Sequence, residues 1–272
     1  YSQEKYESIV SAVREKISHT INPGYVDISF VPVSGWEGEN LIKPSIKMEW
    51  YKGFTLFGQL SILQPVKIIK NCPLRYLVTH MYTIRGIGTV TVGKVVSGEI
   101  KAGQILKNVG VDMNLDICSV EEYFDTLEKA TQGCIAGLNI RKVRKWDLKK
   151  GMMFYSSSEP SPLKFAKSIL AKVVINCAPE TIKKGYRGVI HASCRSTAAT
   201  LESIESLHCI PYQSPPSTLS TGDVATVKLT LNKPVYLEKG DTKLGRFVII
   251  DRLQVVMIGI VLDVIQVEEE KK

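Results

Sequence analysis

The stretch Tyr82-Thr-Ile-Arg-Gly86-Ile-Gly88-Thr-Val-Thr-Val-Gly93-Lys-Val-Val-Ser-Gly98-Glu-Ile-Lys-Ala-Gly103 decides how this chain folds. Its centre alternates threonine and valine, so two valines lie on one face of an extended strand and two threonines on the other. After Gly93 the apolar residue Val95 falls on the threonine side, which indicates a β-bulge or a tight bend at Gly93. Two turn sequences follow closely. A strand that is bent and turned so soon predicts a small closed β-barrel.

The glycines of this stretch resemble two nucleotide-binding motifs, and neither is complete. Gly93 and Gly98 have the spacing of a phosphate-binding loop, but Glu99-Ile100 stand where that loop needs Lys-Ser/Thr. Gly86-Ile-Gly88 lacks the third glycine and the helix of a dinucleotide fingerprint. The glycines are therefore interpreted as turns and bulges of a barrel.

Composition is that of an ordinary globular chain with a basic excess. The 272 residues allow one large or two to three small domains, and 44% are hydrophobic. No apolar run approaches the ~20 residues that span a bilayer, and the first residues do not form a signal peptide. Six scattered cysteines favour reduced thiols and a cytoplasmic location, with disulfides left open. The net charge of +8 favours an anionic partner, RNA first, although a basic protein without such a partner is equally compatible.

The first part of the chain is predicted to be α/β. Helical spacing of apolar residues predicts an amphipathic helix over 2–18, and Asn22-Pro-Gly24 predicts a turn. A short strand over 26–33 and a helix over 55–63 follow. Between them lies the loop 34–40, which is either a plain connection or a ligand-binding loop at the end of a strand.

The remainder is predicted to be mainly β. Short strands punctuated by glycines are expected between Leu74 and Ser157, after a boundary near 64–72. A polar linker over 156–162 precedes a second run of strands that ends near Val267. In that run Asn232-Lys-Pro234 is expected to join or kink two strands. The predicted fold is two tandem small antiparallel β-barrels preceded by an α/β remnant.

Several motifs in collinear order resemble one family. They are Ser34-Gly-Trp36-x-Gly38-x-Asn40, Gly86-Ile-Gly-Thr-Val90-x-Val-Gly93, Ser119-Val-Glu121, Asp147-Leu-Lys-Lys-Gly151 and Leu244-Gly-Arg-Phe247. Together they resemble the eukaryotic elongation factor 1-alpha family of translation GTPases over nearly the whole chain. The resemblance implies a C-terminal remnant of a P-loop GTPase domain over 1–65, and two barrel domains over 66–158 and 163–268.

The resemblance also implies a guanine nucleotide. Ser34, Gly35 and Trp36 match the family's last guanine-contacting loop, so GTP or GDP with Mg²⁺ is expected in the intact protein. These 272 residues alone are expected to bind no cofactor and to catalyse nothing, because the phosphate loop is missing and Asn232-Lys233 is followed by Pro-Val instead of x-Asp. No catalytic residue and no metal site is predicted.

The second implied ligand is the 3′ end of aminoacyl-tRNA. Glu121 matches the family's Val-Glu pair beside that end, and Tyr123 and Phe124 offer aromatic rings to a base. The chain departs from the family here, with Glu122 and Asp125 in place of basic groups, so a divergent pocket stays an alternative. In the second barrel, phosphate contacts are expected from three basic residues, namely Lys183, Lys184 and Arg187. The basic run 141–150, with Trp146, is interpreted as a solvated face or an RNA patch.

These implications predict a factor that delivers aminoacyl-tRNA to the ribosome and works with a guanine nucleotide exchange factor. A second possibility is a release or ribosome-rescue GTPase whose barrels carry a release-factor-like or Pelota-like protein. A third is a binding module without a nucleotide. No membrane partner is expected.

Overall fold

The structure is a computed structural model that describes residues 1–20, 28–64, 72–109, 111–158, 164–179, 181–208 and 217–267. The chain divides into two compact units, Tyr1–Lys67 and Ile68–Lys272. The predicted turn at 22–24 and most of the predicted linker 156–162 lie outside the described residues. The predicted domain limits stay a prediction.

The first unit contains helices and loops. Helix α1 spans Gln3–Thr20 and α2 spans Leu56–Ser61, which confirms both predicted helices, and Ile46–Met48 forms a 3₁₀ turn. None of the described helices is both long and apolar enough to cross a bilayer. The strand predicted over 26–33 is wrong for its described part, because residues 28–33 form no strand. A strand requires a neighbour to satisfy its backbone, and residues 28–64 provide only the isolated Ser34–Glu39 bridge.

The described residues of the second unit form seventeen strands. They are β1 Arg75–Ile84, β2 Gly88–Ser97, β3 Glu99–Lys101, β4 Ile105–Asn108, β5 Val111–Glu122, β6 Asp125–Leu127, β7 Lys129–Thr131, β8 Ile135–Arg141, β9 Met153–Ser156, β10 Lys164–Ile175, β11 Ile182–Lys183, β12 Arg187–Ala192, β13 Arg195–Leu207, β14 Thr218–Leu219, β15 Val224–Leu237, β16 Arg246–Asp251 and β17 Gln254–Val267. A second 3₁₀ turn spans Lys145–Asp147.

Antiparallel pairing arranges most of these strands into two barrels, which confirms the predicted fold class; β3 with β7 and β11 with β14 form two separate two-stranded sheets. In the first, the order β4-β9-β1-β2-β8-β5 closes through pairing of β4 with β5, and β6 extends the sheet beyond β5. In the second, β10-β15-β13-β12-β16-β17 closes through β10 and β17. β15 is one strand where two were predicted, and its register against β10 is interrupted around Lys233. The predicted kink at 232–234 is thereby confirmed.

The threonine face of β2 lies inside the first barrel. Thr91 is completely buried, and its carbonyl oxygen accepts a hydrogen bond of 3.1 Å from the hydroxyl of Tyr76. Val90 and Val92 are half-buried on the outer face, while Val95 joins the threonine side in the core. The bulge predicted at Gly93 lies on the opposite strand instead, because the register shifts between Val78 and His80. Gly93 itself is needed for close packing, since a Cβ there would lie 2.3 Å from the carbonyl oxygen of Leu77.

A small hydrophobic cluster lies between the two barrels. Side chains from the first barrel pack with Phe165, Tyr236 and Leu244 of the second. The Tyr236 hydroxyl donates a 2.8 Å hydrogen bond to the carbonyl oxygen of Val109. Arg75, which is 5% exposed, pairs with Glu238 at 2.9 Å. The barrels therefore pack as one body.

Candidate functional site

The loop that follows Pro32 and Val33 presents its backbone and one aromatic ring to solvent. Ser34 and Glu39 close a small hairpin with two backbone hydrogen bonds of 3.1 Å. The Trp36 side chain is 98% exposed, and no atom lies within 4 Å of the position that a Cβ on Gly35 would occupy. The Ser34 hydroxyl accepts a 3.3 Å hydrogen bond from the amide of Glu37. The structure thus brings Ser34, Gly35 and Trp36 together in a loop that is open to a ligand.

Groups outside the three predicted residues hold this loop in shape. Asn40 is buried with a positive φ of 58°, and its side-chain amide donates a 2.8 Å hydrogen bond to the carbonyl oxygen of Pro32. Lys47 and the Tyr1 hydroxyl bind the carboxylate of Glu37, and the Lys47 hydrogen bond is the main reason that the pKa of Glu37 is lowered. The polar groups of Ser34 are thus used within the loop, while the Trp36 ring and the face of Gly35 are exposed.

A recess lies on the outer face of the first barrel, where three strands run side by side. Gly137 of β8 pairs with Val92 of β2 on one side and with Glu121 of β5 on the other. Side chains at directly paired positions share a face, so the missing side chain of Gly137 leaves a gap between a valine and a carboxylate. A Cβ at Gly137 would meet nothing closer than 3.7 Å. The gap is open to solvent, and the exposed Glu121 lies at its edge.

Sequence analysis identified Glu121 but missed Gly137. The available signal was a glycine inside a predicted strand, which often marks a close approach by another molecule. Because pairing with Val92 and Glu121 depends on the barrel register, the sequence did not reveal the gap.

Tyr123 and Phe124 form the two-residue turn between β5 and β6. Their neighbours Glu122 and Asp125 are paired across the hairpin. Both turn residues have positive φ angles, 50° and 74°. Their rings point away from the barrel, with Tyr123 84% and Phe124 102% exposed. The structure therefore places these two candidates beyond the recess, at a protruding tip.

A basic groove of about 360 Å³ lies at the far end of β8 from that tip. The Arg144 guanidinium lies 5.0 Å from the ring centre of Trp146 and pairs with Asp147 at 3.2 Å, which lowers the pKa of Asp147. The ring of Trp146 is 72% exposed. The groove is lined by basic side chains of the run 141–150, namely Arg141, Lys142, Arg144 and Lys145. The arrangement has the cations and the aromatic surface that RNA binding uses.

A second basic pocket, of about 270 Å³, lies on the second barrel. Lys183 and Lys184 line it together with Arg252, while Arg187 lies outside the lining on β12. The Tyr186 hydroxyl donates a 3.0 Å hydrogen bond to Asp251. Burial, together with that carboxylate, raises the pKa of Tyr186, so the phenol remains a donor at neutral pH. The bond fixes the turn that carries Arg252.

Sequence analysis missed Arg252 because nothing in the sequence links 251–254 to 183–186. The hairpin turn at Asp251–Gln254 is local, but only the closed barrel brings it beside the two lysines. In the part of the chain that the structure describes, no three histidine, cysteine or carboxylate side chains meet as metal ligands.

Comparison with known proteins finds relatives along almost the whole chain. Residues 168–262 match a family model described as GTP-eEF1A C-terminal domain-like. The chain is 35% identical over 269 residues to elongation factor 1-alpha of Thermoplasma acidophilum, covering 97% of this chain and 62% of that protein. It is 34% identical over 270 residues to elongation factor 1-alpha of Plasmodium falciparum, covering 96% and 60%.

A solved structure shares the fold. Sup35 complexed with GDP superposes with a TM-score of 0.64 at 21% identity, covering 98% of this chain and 66% of that one. The chain thus spans less than two thirds of the length of these relatives. The collinear motifs, the two closed barrels and the similarity along almost all of its length show that this chain belongs to the elongation factor 1-alpha family.

Proposed function

We propose that this chain is the cargo-binding part of a translation GTPase that delivers aminoacyl-tRNA to the ribosome in the cytoplasm. The observation that carries the proposal is the recess between Val92, Gly137 and Glu121. A carboxylate accepts hydrogen bonds from ribose hydroxyls, and an apolar gap of one side chain admits the edge of a base. The recess therefore suits the terminal nucleoside of a tRNA.

The guanine nucleotide is assigned to the loop Ser34 to Trp36. Its exposed Trp36 ring and the open space at Gly35 fit contact with a base. GTP or GDP with Mg²⁺ supplies the switch and the hydrolysable phosphate when bound, and its phosphates require residues that this sequence does not contain. The relatives are longer than this chain. We assign the hydrolytic chemistry, and the contact with an exchange factor, to the part of such a protein that lies outside these 272 residues.

Replacing Gly137 with leucine tests the recess directly. The new side chain points outward and meets no atom within 3.7 Å at its Cβ, so we expect the melting temperature to stay unchanged. It fills the gap beside Glu121, so the intact protein with GTP should no longer protect an aminoacyl-tRNA ester from hydrolysis. Glu121→Gln keeps the shape and removes the charge, and should weaken binding about tenfold.

The matched control adds apolar bulk elsewhere. Val174→Leu changes an exposed strand position of the second barrel and should leave ester protection intact. Full protection by the Gly137→Leu protein would show that the nucleoside binds elsewhere.

Phosphate contacts are assigned to the pocket of Lys183 and Lys184, with Arg187 and Arg252 beside it. Alanine at all four positions should make the slope of log affinity against log salt concentration shallower by about 2 to 4, since each lost phosphate contact removes about one ion. Filter binding of tRNA across a salt series measures this. Lys172→Ala with Lys239→Ala removes two exposed lysines of the same barrel and should not change the slope. A slope equal to that of the parent protein in the fourfold variant would exclude this pocket.

A second candidate function is release or ribosome rescue, with a tRNA-shaped protein as the cargo. The observation in its favour is the pair of acidic residues Glu122 and Asp125 next to Glu121, since added carboxylates repel a phosphate backbone. In that case the protein fails to protect any aminoacyl ester, and instead binds a release-factor-like or Pelota-like protein in a GTP-dependent manner.

A further inference from the structure

The tip of the β5–β6 hairpin carries two large aromatic residues that the fold does not need. Two-residue hairpin turns with two positive φ angles favour Asn-Gly, because a bulky side chain is strained there. Here the positions are occupied by Tyr123 and Phe124. Neither ring recovers the strain by packing, since 84% and 102% of their surfaces are exposed. The side chains are therefore available for an external contact.

The surface around the tip is apolar and negatively charged. Ile135 of the adjoining strand β8 is 54% exposed, two residues before Gly137. Four carboxylates lie within the same short segment, namely Glu121, Glu122, Asp125 and Glu128. The neighbouring cation Lys129 is paired with Glu99 at 3.1 Å. In a chain of net charge +8, this tip has the opposite sign to the protein as a whole.

We propose that the tip residues Tyr123 and Phe124, with the flanking carboxylates, bind an arginine- and lysine-rich polypeptide segment of a partner protein. Guanidinium and ammonium groups are attracted to the faces of aromatic rings, and the carboxylates strengthen that attraction. A nucleic-acid backbone fits the tip less well, because its phosphates would approach the carboxylates of Glu122, Asp125 and Glu128. The inference does not depend on which cargo the barrels carry.

The test replaces the tip with the turn that hairpins prefer. Tyr123→Asn with Phe124→Gly relieves the strain, so the intact protein should melt about 2–4 °C higher. Its affinity for a fluorescein-labelled arginine–glycine repeat peptide should fall at least tenfold, as measured by anisotropy at low salt. If the two substitutions acted only through stability, the more stable variant would bind the peptide as well as the parent protein does. Glu122→Lys with Asp125→Lys leaves the rings in place and should weaken peptide binding similarly.

The matched control is the other hairpin tip of the same geometry. Leu253 has a φ of 65° and is 99% exposed, and Leu253→Gly should leave peptide binding unchanged. The proposal is overturned if the parent protein does not bind the peptide, or if the Asn-Gly variant binds it equally well. It is also overturned if that variant loses affinity for single-stranded oligocytidylate and not for the peptide, because the tip would then be a base-stacking site.

Discussion

Replacing Gly93 with valine is expected to destabilise the first barrel strongly. The Cβ of any residue at this position would lie 2.3 Å from the carbonyl oxygen of Leu77 and 2.7 Å from the ring of Tyr76. Neither neighbour can move easily. Leu77 is part of the β1 ladder, and Tyr76 is completely buried, with its hydroxyl bonded to the carbonyl oxygens of Thr91 and Ala136 at 3.1 and 2.9 Å.

Overpacking against a rigid backbone costs more than the usual 1–3 kcal/mol, so we expect a loss of at least ~3 kcal/mol in the free energy of unfolding. Single domains have about 5–15 kcal/mol in total. Urea denaturation followed by circular dichroism measures the loss. Gly137→Ala is the matched control, because it also adds a Cβ to a strand glycine of this barrel but meets only ordinary contacts. A Gly93→Val protein as stable as the Gly137→Ala protein would contradict this account of the packing.

Replacing Tyr236 with alanine is expected to uncouple the thermal unfolding of the two barrels. The ring is completely buried, lies tilted against Phe165 with 4.8 Å between ring centres, and packs with Leu77, Val96 and Met153 of the first barrel. Its hydroxyl also bonds the carbonyl oxygen of Val109. Removing a buried aromatic side chain costs about 3–5 kcal/mol. Since part of what is lost joins one barrel to the other, we expect a single thermal transition to become two, as measured by calorimetry.

Tyr236→Phe separates the hydrogen bond from the packing. It keeps the ring and leaves the carbonyl oxygen of Val109 without its 2.8 Å donor, so it should cost about 1–2 kcal/mol and preserve one transition. If the alanine variant melts in one step near the parent temperature, the shared core does not couple the barrels.

The sequence patterns predicted the barrels better than the first unit. Most strands of both barrels follow from alternating β-branched residues between glycine turns, because these signals are local. The short strands β6, β7, β11 and β14 were missed, since two or three residues carry no periodicity. The strand predicted at 26–33 was wrong in its described part even though its sequence pattern is strong. Its alternation is clear, but no second strand lies beside it among residues 28–64.

The residues of the candidate sites also fall into those proposed from the sequence and those recognised only in the structure. Ser34, Gly35, Trp36 and Glu121 were found from short motifs, each within one local segment. Gly137 and Arg252 were not, because each acquires its role from residues distant in the chain.

What the amino-acid sequence determined by itself is the type of most segments, the tandem order of the barrels and the family, because propensity, turn chemistry and collinear motifs are all encoded locally. Only the tertiary structure decided that the threonines of β2 face the core, that the bulge lies opposite Gly93, and that Gly137 opens a gap beside Glu121. The physical reason is that strand register and barrel closure are set by hydrogen bonds and packing between distant strands, and a single residue of register exchanges the inner and outer faces.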